Sequence, residues 1–181
     1  SVGYSYETRF DETEKPIDVT MYYLIYDMTD WKYMRNNRSL NYMLAADLDF
    51  KDVQDADYVF GENQVFTGIL NGNGHYLRNM NLEGSYHGVF YQVNGPARFE
   101  NLFIENFSRS YRYSYGGFIY RTFPSNNQSV TFDNVHVIGV RIATTGGYVG
   151  GLVGDSSGGT FLNCSVTDFK LLGVHNSPSD I

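Results

Sequence analysis

Two carboxylates, Glu100 and Asp133, are the residues whose type and spacing come nearest to a catalytic pair. Each stands one place before an asparagine, in Phe99-Glu100-Asn101-Leu102 and Phe132-Asp133-Asn134-Val135. If those segments stack as neighbouring coils of a solenoid, the two carboxyl groups fall about 5 Å apart, near the separation used by retaining glycosidases. Against this, the same register holds Arg78 and Leu162 in two further segments of the same pattern. That variety reads as a solvent-facing corner.

A second group suits recognition. Tyr111, Tyr113, Tyr115 and Tyr120 lie among Arg109, Arg112 and Arg121. Rings with cations beside them fit a carbohydrate or protein ligand, provided the rings are exposed in a shallow groove. Asp47, Asp49, Asp52, Asp55 and Asp57 form an acidic stretch that could offer oxygens to calcium. It has no EF-hand or nonapeptide spacing, so a solvated acidic loop is the simpler reading. Asn71-Gly72-Asn73-Gly74 lacks the phosphate-loop pattern and reads as a tight turn. No cofactor motif is present. Cys164 falls at an apolar position of the repeat and reads as a buried, inert thiol. His136 falls on the outward face.

The chain has 181 residues, a net charge of −7 and 18% charged residues. That acidity gives no electrostatic footprint for nucleic acid. No apolar run reaches the roughly 18 residues of a membrane span. With 19 Gly, 16 Tyr and 13 Phe, the composition favours strands and turns. One cysteine permits no internal disulfide.

The elements that must position these residues repeat. Leu77-Arg78-Asn79-Met80, Phe99-Glu100-Asn101-Leu102, Phe132-Asp133-Asn134-Val135 and Phe161-Leu162-Asn163-Cys164 align on an asparagine, at spacings of 22, 33 and 29 (101−79, 134−101, 163−134). Between them recur Gly88-Val89-Phe90, Gly117-Phe118-Ile119 and Gly151-Leu152-Val153. Short apolar runs at such a period, with glycine breaks, are the signature of a solenoid. Positions two before, one after and three after the asparagine are apolar in every segment. Strict alternation cannot put all three on one face, so the chain must turn a corner at or just before the asparagine. Asparagine tolerates the left-handed backbone of such a corner. Stacked corners predict an asparagine ladder beside a ladder of aromatic rings.

The reading is therefore an all-β chain, a right-handed parallel β-helix with a short N-terminal capping helix. Residues 1–20 read as a leading arm or linker. Residues 21–65 read as an N-terminal cap, with a helix capped by Thr29 and faced by Trp31 and Met34. Residues 66–172 are the coils, and 173–181 a polar tail. The apolar pair Leu171 and Leu172 closes the last coil. That exposed pair predicts that further coils or another domain cover this end.

Phe66-Thr67-Gly68-Ile69-Leu70-Asn71-Gly72-Asn73-Gly74-His75, Gly95-Pro96-Ala97-Arg98-Phe99-Glu100-Asn101-Leu102 and Tyr148-Val149-Gly150-Gly151-Leu152-Val153-Gly154 resemble the GLUG repeat of bacterial surface proteins. That repeat also belongs to the amino-terminal region of IgA-protease-type metallopeptidases, and the resemblance covers about residues 22–172. Those peptidases carry a zinc-binding HExxH motif, which is absent here, so their activity does not transfer. The resemblance implies an extracellular or cell-surface location and a non-catalytic structural or adhesive module, with a host glycan or protein as ligand. The alternative is a polysaccharide-active enzyme built on Glu100 and Asp133.

Overall fold

The structure, a computed structural model, describes residues 3–112 and 115–173. They form a β-solenoid of about five turns with one short α-helix. In chain order the elements are β1 (Tyr4–Phe10), β2 (Pro16–Ile25), α1 (Met28–Asn36), β3 (Asn41–Leu44), β4 (Leu48–Asp49), β5 (Ile69–Asn71), β6 (Tyr76–Arg78), β7 (Asn81–Leu82) and β8 (Phe90–Asn94). They continue with β9 (Arg98–Arg109), β10 (Ile119–Phe123), β11 (Thr131–Thr144), β12 (Val153–Ser156), β13 (Thr160–Leu162) and β14 (Ser165–Gly173).

The first sheet runs β1-β2-β3-β5-β9-β11-β13, with β14 following β13 along β11 and β4, β6 and β7 continuing the early coils. Every pairing in it is parallel except β1 with β2. The second sheet is β8-β10-β12, also parallel. It is built from the three recurring glycine segments, with Phe90, Ile119 and Val153 in one register.

Residues 4–20 are not a loose arm. Tyr4, Tyr6 and Phe10 alternate with Ser5, Glu7 and Arg9, the period of a strand, and β1 folds back on β2. The Asp11 carboxylate holds the turn by accepting from the Thr13 and Lys15 amides (2.8 and 3.0 Å), which lowers its pKa. The coils also begin earlier than Phe66. Tyr23, Leu24 and Ile25 of β2 already pair in parallel with Tyr42, Met43 and Leu44 of β3. Residues 21–65 thus supply the first coils rather than a separate cap.

The N-cap of α1 is Asp27, not Thr29; its carboxylate accepts from the Asp30 amide (3.1 Å). Trp31 and Met34 point inward and are fully buried. The Trp31 ring packs edge-on against Phe50 and Phe60, and its N–H donates to the Tyr58 carbonyl (2.9 Å). Phe60 stacks on Phe90 of β8 at 4.3 Å. The helix therefore lies over the early end of the second sheet and caps that face.

The coil of β9 turns at two asparagines, Asn101 and Asn106, and this revises the alignment; the second corner passes to Gly139 in β11 and Asp168 in β14, both at positive φ. Asn101, Asn134 and Asn163 share one corner, all at positive φ (52°, 57° and 52°). Asn79 belongs to the other. Leu77 pairs with Ile104 and Arg78 with Glu105, so Asn79 stacks on Asn106, whose amide donates to its Oδ1 at 2.7 Å. Asp49 continues that ladder on one side, accepting from Asn79 Nδ2 at 2.9 Å. At the first corner, Asn134 Nδ2 donates to Asn101 Oδ1 (3.1 Å). The aromatic ladder runs Phe99–Phe132–Phe161, with centroids 5.4 and 4.8 Å apart. Leu70, not Leu77, precedes it. Asn101→Ala is expected to cost about 1–2 kcal/mol, from left-handed strain and lost ladder bonds. Asn101→Gly should cost less, because glycine removes the strain alone. Urea unfolding of both variants checks the order.

At the other end the core opens. Phe161, Leu162, Val166, Phe169, Leu171 and Leu172 are exposed. Cys164 is half-buried, its thiol near the Phe132 and Leu162 carbonyls (3.5 and 3.3 Å).

Candidate functional site

The outer face of the second sheet gathers the rings. Phe90 and Ile119 point into the core, so the residues that follow them, Tyr91 and Tyr120, point out. In-register parallel pairing sets such positions side by side. The His87 ring stacks on Tyr120 at 4.7 Å and 25°. Tyr91 meets Tyr120 edge-on at 5.1 Å. Arg121 lies over this group, its guanidinium carbon 5.2, 5.4 and 5.3 Å from the rings of Tyr91, Tyr120 and Phe123. Gln92, its register partner, accepts from Arg121 Nε at 3.0 Å and fixes the fork. Asp155 stands in the same register on β12. A hollow of about 290 Å3 adjoins the ledge, lined by Phe60, Glu62, His87 and Tyr91 among others.

Tyr115 extends the ledge. It is 42% exposed, and its ring lies near-parallel to His87 at 6.4 Å. Its backbone N–H donates to His87 Nδ1 (3.1 Å), while its carbonyl accepts from Arg109 Nη1 (2.8 Å). Burial holds the His87 ring below its ordinary 6.5, and the charges of Arg109 and Arg121 act in the same direction. A depressed histidine stabilises the fold while neutral. That contribution is present above 6.5 and is lost as the pH falls below it, because the unfolded chain then binds more protons. The urea midpoint of the wild type should drop between pH 7.5 and pH 5.5 by more than that of His87→Gln.

The group expected from sequence is therefore brought together only in part. Tyr115, Tyr120 and Arg121 join the ledge, while Tyr113 lies outside the described residues. Tyr111 is 38% exposed. The Arg112 carbonyl ties its loop to the next coil by accepting from the Thr145 amide (2.9 Å). Arg109 is no surface cation. It is 1% exposed and shares an inward register with Leu82 and Ile142. Burial draws its guanidinium down to about 10. His87 and Tyr91, which the sequence reading missed, complete the surface.

A parallel solenoid thus carries a mixed aromatic and polar ledge on one sheet. In structure it is similar to a candidate immunoglobulin A1 protease from Bacteroides ovatus, with a TM-score of 0.50 and 13% identity. The match covers 93% of this chain and 81% of the other. No protein-family model matches the chain, and no curated protein matches it either. At that identity the likeness speaks for the fold.

The carboxylate pair is placed as the repeat predicts: Glu100 of β9 and Asp133 of β11 are direct register partners. Their surroundings differ. Glu100 accepts from Tyr22 Oη (3.3 Å) and Arg98 Nη2 (3.4 Å), whereas Asp133 stands outside the cleft that Glu100 lines. The acidic stretch is dispersed. Asp47 accepts from the Tyr76 amide (3.0 Å) and pairs with His75 and Arg78, and Asp49 accepts from Asn79. Both are lowered in pKa, by the Tyr76 amide and the Asn79 side chain respectively. Asp55 holds the Glu83 and Gly84 amides at 2.9 and 2.8 Å, and Asp52 and Asp57 are exposed. Among the described residues no group of three or more acidic, His or Cys side chains converges as a metal site. Asn73 and Gly74 form the expected turn, at φ 53° and 78°. His136 is outward but not alone, stacking on Phe103 at 5.3 Å and bonding Asn134 and Ser165.

Proposed function

We propose that this chain is a non-catalytic, adhesive β-solenoid module of a secreted or cell-surface bacterial protein, of the GLUG-repeat type, whose ledge binds a host glycan. The carrying observation is the ledge itself: half-buried rings of His87, Tyr91 and Tyr120 on a sheet, exposed Tyr115 beside them, and Arg121 over them, bonded to Gln92. Sugar C–H faces stack on such rings, while Arg121, Gln92 and Asp155 offer donors and acceptors for hydroxyls. The structural likeness to a candidate IgA1 protease supports a module of that architecture, and the missing HExxH motif separates it from metallopeptidase catalysis.

A glycan array followed by titration of the best ligand tests the reading. Tyr120→Ala should weaken binding by about tenfold or more, as expected of an anchoring aromatic. Its melting temperature should stay near that of the wild type, since Tyr120 lies outside the core cluster. Undiminished binding by Tyr120→Ala and Arg121→Ala would remove the ledge from the account. Binding to a host protein in place of any glycan would change the ligand class.

A further inference from the structure

The N-terminal hairpin folds over the outer face of the first sheet and encloses a cleft of about 450 Å3. Its floor is buried and polar. Tyr22 (3% exposed) reaches past β3 and β5 to donate its hydroxyl to Glu100 of β9. Asn71 of β5 (2% exposed) lies beside that hydroxyl. Its Oδ1 is held by the Asn73 amide and by Asn101 Nδ2 (2.9 and 3.4 Å), so its amide group is fixed in orientation. Glu100 is itself 84% buried at its side chain and is braced by Arg98. The Glu7 carboxylate of β1 comes down on the same phenol from the hairpin side. Burial, helped by the Glu100 and Glu7 carboxylates, pushes the Tyr22 hydroxyl well above its ordinary pKa, so it stays a donor.

We propose that this cleft is a second binding site, taking a hydroxyl-rich disaccharide-sized ligand that is neutral or carries an amino group. The volume lies within the range of small-ligand sites, roughly 300–1,000 Å3. Glu7, Asp18 and Glu100 outweigh Arg9 and Arg98 by one negative charge, which disfavours phosphate, sulfate and uronate groups. Carboxylates of this kind accept from neighbouring hydroxyls in pairs, and Arg98, beside Glu100 on β9 and paired with it, supplies donors. The Arg9–Asp18 pair (2.9 Å) closes the rim and is largely exposed, so it can part to admit the ligand. The site does not depend on the aromatic ledge, which lies on the other sheet.

The test uses the whole chain and saturation-transfer NMR, with titration calorimetry for affinity. The probes are cellobiose, lactose, a glucosamine disaccharide and digalacturonate. A neutral or amino disaccharide should bind and digalacturonate should not. Glu100→Gln should weaken that binding at least tenfold, as should Glu7→Gln, whose side chain is at the surface and whose loss leaves the fold intact. Asp133→Asn, outside the cleft, should leave it unchanged. The proposal is overturned if no neutral or amino disaccharide binds, or if affinity stays within twofold of wild type in Glu7→Gln. Loss in Tyr120→Ala alone would assign the sugar to the ledge, so the two sites fail separately.

Discussion

Trp31→Ala is expected to be among the most destabilising single changes in the chain, costing about 4 kcal/mol. The indole is fully buried between α1 and the early end of the second sheet, with Phe50 at 5.3 Å and Phe60 at 6.1 Å. Alanine removes that volume and leaves a cavity under a short helix that cannot collapse into it. It also leaves the Tyr58 carbonyl, which accepts the indole N–H at 2.9 Å, without that bond inside the core. Natural domains are stable by only about 5–15 kcal/mol, so the loss is a large share of the total. For a chain of this length it corresponds to a drop of about 10 °C in melting temperature. Trp31→Phe should recover most of the packing but not the hydrogen bond. If Trp31→Ala melts within 3 °C of wild type, the helix is not the cap of the second sheet.

Gly68→Ala tests coil stacking itself. Gly68 precedes β5, and a Cβ there would run into the Leu40 carbonyl of the preceding coil. That carbonyl accepts from the Ile69 amide (3.3 Å), and the Gly68 carbonyl accepts from the Arg98 amide on the other side (3.0 Å). The backbone is held from both neighbours and cannot retreat without breaking the ladder. The expected cost is about 3 kcal/mol or more, at the upper end for overpacking. Gly74→Ala is the control. Its Cβ would enter open space, and only the positive φ of 78° opposes it, so it should cost about 1 kcal/mol. Equal midpoints for the two variants in urea would contradict the close approach of these coils.

Much of this architecture was legible in the sequence because a solenoid repeats its local chemistry. The corners at Asn101, Asn134 and Asn163, the ring ladder of Phe99, Phe132 and Phe161, and the glycine-led strands of the second sheet all stand where the pattern puts them. The failures share a cause. Asparagine serves both kinds of corner, at Asn79 and Asn106 as well as at Asn101, Asn134 and Asn163, and spacing alone cannot tell the two apart. The same ambiguity misplaced Arg109. One and three places after the corner Asn106 stand Phe107 and Arg109, and both are buried. The inward rule written for the other corners applied here too, but a charged residue at an apolar position hid it. The hairpin was passed over because its alternating face, Tyr4, Tyr6 and Phe10, is exposed rather than buried. The ledge was half legible. Tyr120 and Arg121 stood out by composition, whereas His87 and Tyr91 join them only through the register of β8 with β10.

The most direct test of the account is to map ligand contacts by amide chemical shift. A 15N-labelled chain is titrated with the glycan selected by the array. The expected result is that the perturbed amides centre on His87, Tyr91, Tyr120 and Arg121, leaving the exposed end at Phe161, Leu171 and Leu172 unmoved. Perturbations confined to that exposed end, or absent from the second sheet altogether, would contradict the assignment of the ledge as the binding surface.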